Sequence, residues 1–137
     1  MADVPRDLFE AALAVRQRAY VPYSRFKVGA AFRTADGAIV TAANVENAAY
    51  PQGQCAEASA IGRMVAEGHR RIAEVVVIGG EAGDGMLCTP CGGCRQRIRE
   101  FAAPDVVIWV CGPEGTRRRF TLDDLLPFSF GPENLGV

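Results

Sequence analysis

Apolar and polar positions follow two different periods along this chain, and the switches between them mark the elements. Leu8, Ala12, Val15 and Ala19 recur at helical spacing with Phe9 and Leu13 beside them, while Asp7, Glu10, Arg16 and Arg18 fall largely elsewhere. That pattern predicts an amphipathic helix of about three turns, ended by Val21-Pro22-Tyr23-Ser24. Residues 26–33 and 39–43 read as strands, with Ala35-Asp36-Gly37 between them as a hairpin signal. Residues 47–54 hold Pro51 and Gly53 and read as loop. From 55 to 67 the chain is apolar or small on nearly every side (Ala56, Ala58, Ala60, Ile61, Met64, Val65), the pattern of a helix buried all round, and Gly68 closes it. In so small a domain such a helix is expected to be covered by a partner subunit too. Gly62 inside it is unfavourable by about 1 kcal/mol relative to alanine, and close approach of another backbone is the expected reason.

Residues 74–78 read as a strand covered on both faces, since a continuous apolar run follows Glu74. A glycine-rich loop over 79–87 follows. Thr89-Pro90 is expected to open a second helix over 91–101, threonine as N-cap and proline at the first helical position. Residues 106–110 read as another buried strand, 117–121 as a last one, and 122–126 as a short helix before Pro127. Single strands separated by helices imply parallel pairing. The expectation is therefore an α/β fold with one mixed sheet and helices on its faces, in a single domain over 1–137.

Composition narrows the function. With 137 residues, 49% hydrophobic and 23% charged, the chain can bury a core without staples. Its net charge of −1 lacks the positive excess of a domain that grips polynucleotide phosphates, so a small ligand is expected and no nucleic acid. The start, Met1-Ala2-Asp3-Val4-Pro5-Arg6-Asp7, is polar, and no run is long enough to span a bilayer. A cytoplasmic location without a membrane partner is expected. There the five cysteines are expected to be thiols or metal ligands rather than disulfides.

Two segments carry the chemistry, Cys55-Ala56-Glu57 and Pro90-Cys91-Gly92-Gly93-Cys94, each at the expected start of a helix. Cys91 and Cys94 are three apart and share one face of a first turn. The unpaired N–H groups and partial positive charge of a helix N-terminus favour thiolate, the form that binds zinc. Three thiolates leave one tetrahedral position open, the layout of a catalytic zinc site whose fourth ligand is water. Glu57, two residues beyond Cys55, is placed to move protons at that water. A metal ligand two residues before a glutamate, followed by P-C-x-x-C, is the signature of zinc deaminases. In their mechanism activated water adds to C4 of cytosine, and the glutamate protonates N3 and later serves the departing ammonia. The alternatives are a redox Cys-x-x-Cys pair and a closed structural site of Cys55, Cys88, Cys91 and Cys94, which leaves Glu57 without a role. Cys88 otherwise reads as a loop thiol, Cys111 as a small residue ending a buried strand, and His69 as a surface residue.

At these residues the chain resembles the small, homotetrameric class of cytidine deaminases over nearly its whole length. The resemblance includes the segment from Tyr23 to Ala31, Asn44-Val45-Glu46-Asn47-Ala48, Tyr50-Pro51, both zinc segments with Arg95 and Gln96, and the tail from Leu125 to Pro132. It implies a three-layer α/β/α sandwich around a mostly five-stranded sheet, a zinc ion on Cys55, Cys91 and Cys94, no organic cofactor, and Glu57 as catalytic residue. It further implies that Asn44 and Glu46 hold the ribose hydroxyls, suitably for two polar chains alternating on a strand. Phe26 resembles the aromatic that packs on the pyrimidine, and Ala56 joins the substrate-binding residues. Phe130 and Tyr50 resemble residues that reach a neighbouring subunit's site. Core packing is the alternative for Phe26 and Phe130.

One position departs from the family pattern. The residue after Cys-Ala-Glu is commonly an arginine that bonds the thiolates, and here it is Ala58. Three thiolates outweigh a divalent cation by one negative charge, and Arg95, next to Cys94, is the expected compensator; a surface or subunit-contact arginine is the alternative. The implied activity is hydrolytic deamination of cytidine or deoxycytidine in pyrimidine salvage. The rivals are a deaminase of another cytosine compound such as blasticidin S, which lacks the ribose-binding glutamate, and a non-enzymatic zinc-stabilised binding protein. A polynucleotide editor would need a basic stacking groove that is not evident. The run Arg117-Arg118-Arg119 reads as a solvated edge or a subunit contact.

Overall fold

In the computed structural model, which describes residues 3–137, the chain runs α1 (Arg6–Arg16), β1 (Gly29–Thr34), β2 (Ile39–Ala43), α2 (Ala56–Ala66), β3 (Ile72–Ile78), α3 (Gly92–Phe101), β4 (Ala102–Gly112), β5 (Gly115–Thr121) and α4 (Leu122–Leu125). The order follows the sequence pattern element for element. The strands form one sheet ordered β2-β1-β3-β4-β5, in which β3 and β4 pair in parallel and the other pairings are antiparallel. The crossover helix α3 is what permits the parallel pair.

Alternate residues of each strand face opposite sides, and both sides are covered. Ala31, Val76, Ile78, Trp109 and Cys111 pack with Leu8 and Ala12 of α1. Phe32, Val75, Val77, Ile108 and Val110 pack on the other face with Ala60 and Met64 of α2 and Ile98 of α3. The result is the α/β/α sandwich about a mixed five-stranded sheet. α1 lies so close on β1 that a Cβ at Gly29 would stand 2.3 Å from the Ala12 carbonyl oxygen.

Several local expectations are corrected. α1 stops at Arg16, a turn short of Ala19, and Arg16 lies on its buried face. Its Nε donates to the Lys27 carbonyl (3.2 Å) and its Nη2 to that of Gly80 (2.8 Å), so two loop carbonyls hold a charge that spacing assigns to solvent. β1 begins at Gly29 rather than 26. The Asn44 side chain accepts from the Val28 N–H and donates to the Phe26 carbonyl, both at 2.9 Å, where a ladder would otherwise continue. α3 begins at Gly92 with Cys91 as N-cap, and the Thr89 hydroxyl instead accepts from Arg95 at 3.1 Å. β4 starts at Ala102, ahead of the apolar run, because the exposed Pro104 and Asp105 break its pattern.

α2 is not buried all round within the chain. Ala58, Ala60, Ile61 and Met64 are buried, whereas Gly62, Arg63 and Ala66 are exposed, and a Cβ on Gly62 would meet nothing within 4 Å. Small residues form its open face as well as its packed one. Arg118 and Arg119 lie exposed over the rings of Phe120 and Trp109, but Arg117 is withdrawn from solvent into an ion network. Among the described residues no helix is long and apolar enough to cross a membrane.

Candidate functional site

Cys55 is the N-cap of α2 and Cys91 the N-cap of α3, so two helix N-termini point at one spot. Cys94, within the first turn of α3, is buried beneath them. The three sulfurs lie within 4.8 Å of one another, with Cys55 and Cys91 Sγ 3.9 Å apart. Thiolates at about 2.3 Å from a tetrahedral zinc stand about 3.8 Å from each other, so the donor set and its spacing fit that ion. Cys88 is outside this cluster. His69 lies at the opposite end of α2 against Asp36 (3.1 Å).

A cavity of about 180 Å³ opens beside the sulfurs. Cys55, Cys91 and Glu57 line it, and Asn44, Ala56 and Cys88 close its sides. Val28 and Thr89 complete the wall; neither carries a sequence signal for this role, since Thr89 reads as a helix cap and Val28 as a strand residue. Glu57 is 4% exposed, and burial raises its pKa. Its own backbone N–H opposes that shift. Burial also raises the Cys55 thiol, and it raises Cys94 together with the nearby Glu57, Cys55 and Cys91 charges. For Cys91 burial pushes the same way but is outweighed by the Cys94 N–H and by the Cys94 and Cys55 thiols, and its pKa is lowered. Three crowded sulfurs that resist joint ionisation make a site completed by a cation.

Arg95 does not turn toward the sulfurs, contrary to its expected role. Its Nε donates to the Pro90 carbonyl (2.6 Å), Nη1 to that of Leu125 (2.8 Å) and Nη2 to the Thr89 hydroxyl. It fastens the turn that carries Cys91 instead. The N-termini of α2 and α3 remain to offset the thiolate charge, and Ala58 is buried in the first turn of α2.

Asn44 and Glu46 flank Val45 just beyond β2, where Val45 bridges to Tyr20 and Gln54. They line different cavities. Asn44 faces the sulfur cavity, and after its two bonds to 26–28 keeps one N–H and one lone pair free for a ligand. Glu46 lines a cavity of about 390 Å³ with Tyr23, Ser24, Asn47, Tyr50 and Gly53. Its carboxylate accepts from the Tyr23 and Ser24 N–H groups (3.0 and 3.1 Å) and the Ser24 hydroxyl; that hydroxyl leads the interactions holding its pKa down. Tyr50 is 75% exposed and meets Tyr23 edge-on at 5.9 Å. Phe26 packs against the core near Gly79, beside Cys88. Phe130 lines neither cavity: its carbonyl accepts from Gln96 (2.9 Å) and the residue is 57% exposed.

Residues 3–110 match the family described as the cytidine and deoxycytidylate deaminase zinc-binding region. The chain is 37% identical over 128 residues to the cytidine deaminase of Halalkalibacterium halodurans, covering 93% of this chain and 95% of that one. It is 40% identical over 117 residues to a cytidine deaminase of Mycobacterium tuberculosis, covering 85% and 82%. The crystal structure of cytidine deaminase from Burkholderia pseudomallei superposes with a TM-score of 0.84 at 40% identity, over 93% of this chain and 99% of that one. A zinc-compatible sulfur triad, a buried glutamate in its cavity and this likeness over most of the chain agree: the chain belongs to the cytidine and deoxycytidylate deaminase family.

Proposed function

We propose that the chain is a zinc-dependent deaminase that hydrolyses cytidine and deoxycytidine to the uracil nucleosides and ammonia. The observation that carries this reading is the buried Glu57 carboxyl on the same cavity as a three-sulfur, open-sided metal site. Cys55, Cys91 and Cys94 would hold the zinc ion, which when bound would supply Lewis acidity toward water. Glu57 does the proton work: it takes the proton of the attacking water and gives it to ring N3, then takes the proton of the new C4 hydroxyl and gives it to the amino group that departs as ammonia. Burial suits that duty, because it favours the carboxyl form that must hold a proton between steps.

Asn44 and Glu46 orient the sugar, with Glu46 ionised as an acceptor for hydroxyl groups. Ala56 and Phe26 bound the base. Tyr50 and Phe130, exposed in a single chain, complete a neighbour's site in a homotetramer, with the open face of α2 as a further contact. The setting is cytoplasmic pyrimidine salvage. Sedimentation should give four chains per particle, with activity per chain falling on dilution to monomers.

The test is product analysis with purified zinc-loaded protein. Cytidine should yield uridine and ammonia in equal amounts, and chelator-stripped protein should yield neither. Zinc-loaded protein that binds cytidine without releasing uridine would make the chain a zinc-stabilised binding protein instead.

A further inference from the structure

Between β3 and the Cys91 turn the chain crosses residues 79–88 without forming a helix or strand, and the last of these residues, Cys88, reaches the cavity wall. Few apolar side chains hold this segment: 81 to 87 are exposed, Met86 and Leu87 included. Arg117 of β5 takes over most of that task. Its side chain is 6% exposed although it belongs to an arginine run.

The Arg117 guanidinium makes four hydrogen bonds and a further ion pair here. Nη1 donates to the Met86 carbonyl (2.7 Å) and stands in ion-pair contact with the Asp84 carboxylate (2.6 Å). Nη2 serves the Glu81 carbonyl (2.5 Å) and Glu114 Oε1 (3.0 Å), and Nε serves Glu114 Oε2 (2.8 Å). Asp84 in turn accepts from the Glu81 and Met86 N–H groups, each at 2.8 Å, and Glu114 accepts from that of Gly83 at 3.2 Å. The bond from Arg117 is the leading cause that holds the Glu114 carboxyl down at about 2, and both acids are ionised through the neutral range.

The backbone is shaped for this clamp. A Cβ on Gly112 would fall 2.2 Å from Arg117 Nη2, so the guanidinium lies on a bare Cα. Gly80 has φ +83°, and its Cβ would stand 2.8 Å from Asp84 Oδ2. At the other end Arg16 holds the Gly80 carbonyl, and a Cβ on Gly79 would collide with Cys88 Sγ at 2.5 Å. The loop is thereby tied at its start, its middle and its return to the site.

We propose that Arg117 is a positioning residue for the deamination described above: by fixing the 79–88 loop it holds Cys88, the last residue of that loop, in the wall of the Glu57 cavity. The inference rests on the proposed function but not on any role in holding the metal. Cys91 is held by α3 and by the Arg95 tie to Pro90, neither of which involves Arg117.

The test compares wild type, Arg117→Ala, Arg117→Lys and Gly112→Ala as zinc-loaded full chains. Amide exchange at 81–88 should speed up in Arg117→Ala while zinc content stays at the wild-type level. KM for cytidine should rise about tenfold with kcat within about threefold, the signature of lost substrate binding rather than lost chemistry. Arg117→Lys keeps an ion pair but not the fork of bonds, and should fall between the two. Gly112→Ala, which displaces the guanidinium without removing it, should reproduce the KM rise, and it carries the test if Arg117→Ala does not fold. Faster loop exchange with unchanged KM and kcat would overturn the proposal and reduce Arg117 to a surface tether. If the wild type itself shows no turnover, the functional reading fails separately. The same variants are then compared by cytidine dissociation constant, where unchanged affinity again overturns the proposal.

Discussion

Replacing Glu57 by glutamine removes a proton carrier and keeps nearly the same shape. The side chain is buried, and its carboxyl faces the cavity rather than an ion-pair partner; among the described residues no arginine or lysine pairs with it. Loss of a general acid–base group costs at least about a hundredfold in turnover, equivalent to about 2.7 kcal/mol of barrier. Stability should move the other way. Because burial raises the folded-state pKa, the carboxyl is unperturbing while protonated in both states, below its unfolded value near about 4.3. It becomes destabilising as pH rises through the folded value, where the folded chain must hold the buried charge. Glutamine carries no such charge. Glu57→Gln stripped of metal should therefore be at least as stable as wild type at neutral pH, and it should lack the part of the wild-type decline that sets in above the unfolded value and is complete once pH passes the folded one. The assay pairs kcat with zinc content, and denaturant midpoints across pH with both. Near-normal turnover in zinc-loaded Glu57→Gln would refute the proton-carrying role. A lower midpoint at neutral pH would refute the burial argument.

Other outcomes follow from the same geometry. Cys91→Ser and Cys94→Ser should lose zinc and activity together, whereas Cys88→Ser should keep the metal; metal analysis distinguishes this from a four-cysteine site, which Cys88→Ser would empty. Zinc binding should release protons, because burial keeps Cys55 and Cys94 protonated in the neutral range. Calorimetry in two buffers of different ionisation enthalpy should give different heats, and affinity should fall as pH is lowered; equal heats would contradict protonated thiols. Glu46→Ala should reduce kcat/KM for cytidine far more than for free cytosine, since a site built to bond a hydroxyl loses most when that bond is lost. Equal losses would make Glu46 a structural cap of the 23–24 turn.

The order of elements was legible because period and punctuation agree along most of the chain. The apolar run Val75–Ile78 lies in β3 with both faces covered, and Asp36-Gly37 turns where a hairpin must, Gly37 at φ +90°. The sulfur triad was legible for a related reason: each half of it is local, a short spacing at a helix start. What escaped the pattern depends on partners distant in sequence. Arg16 reads as a solvated charge and Arg117 as part of a solvated edge or a subunit contact, yet carbonyls 64 and 31 residues away withdraw them from water. Arg95 sits next to a ligand in sequence and bonds away from it in space, toward Leu125. Asn44 reads as a ligand for sugar and also holds the 26–28 segment in place of a strand ladder. A run of alanines and glycine cannot tell a packed helix face from an open one, which is why α2 reads as buried where Gly62 is bare.

The central claim is that one zinc on three sulfurs, with Glu57 beside it, converts cytidine to uridine. Adding zinc stepwise to stripped protein while following the loss of cytidine absorbance tests it most directly. Deamination should climb in proportion to metal and break at one zinc per chain, with ammonia matching uridine throughout. Protein that takes up its zinc to that point and leaves cytidine unchanged would contradict the account.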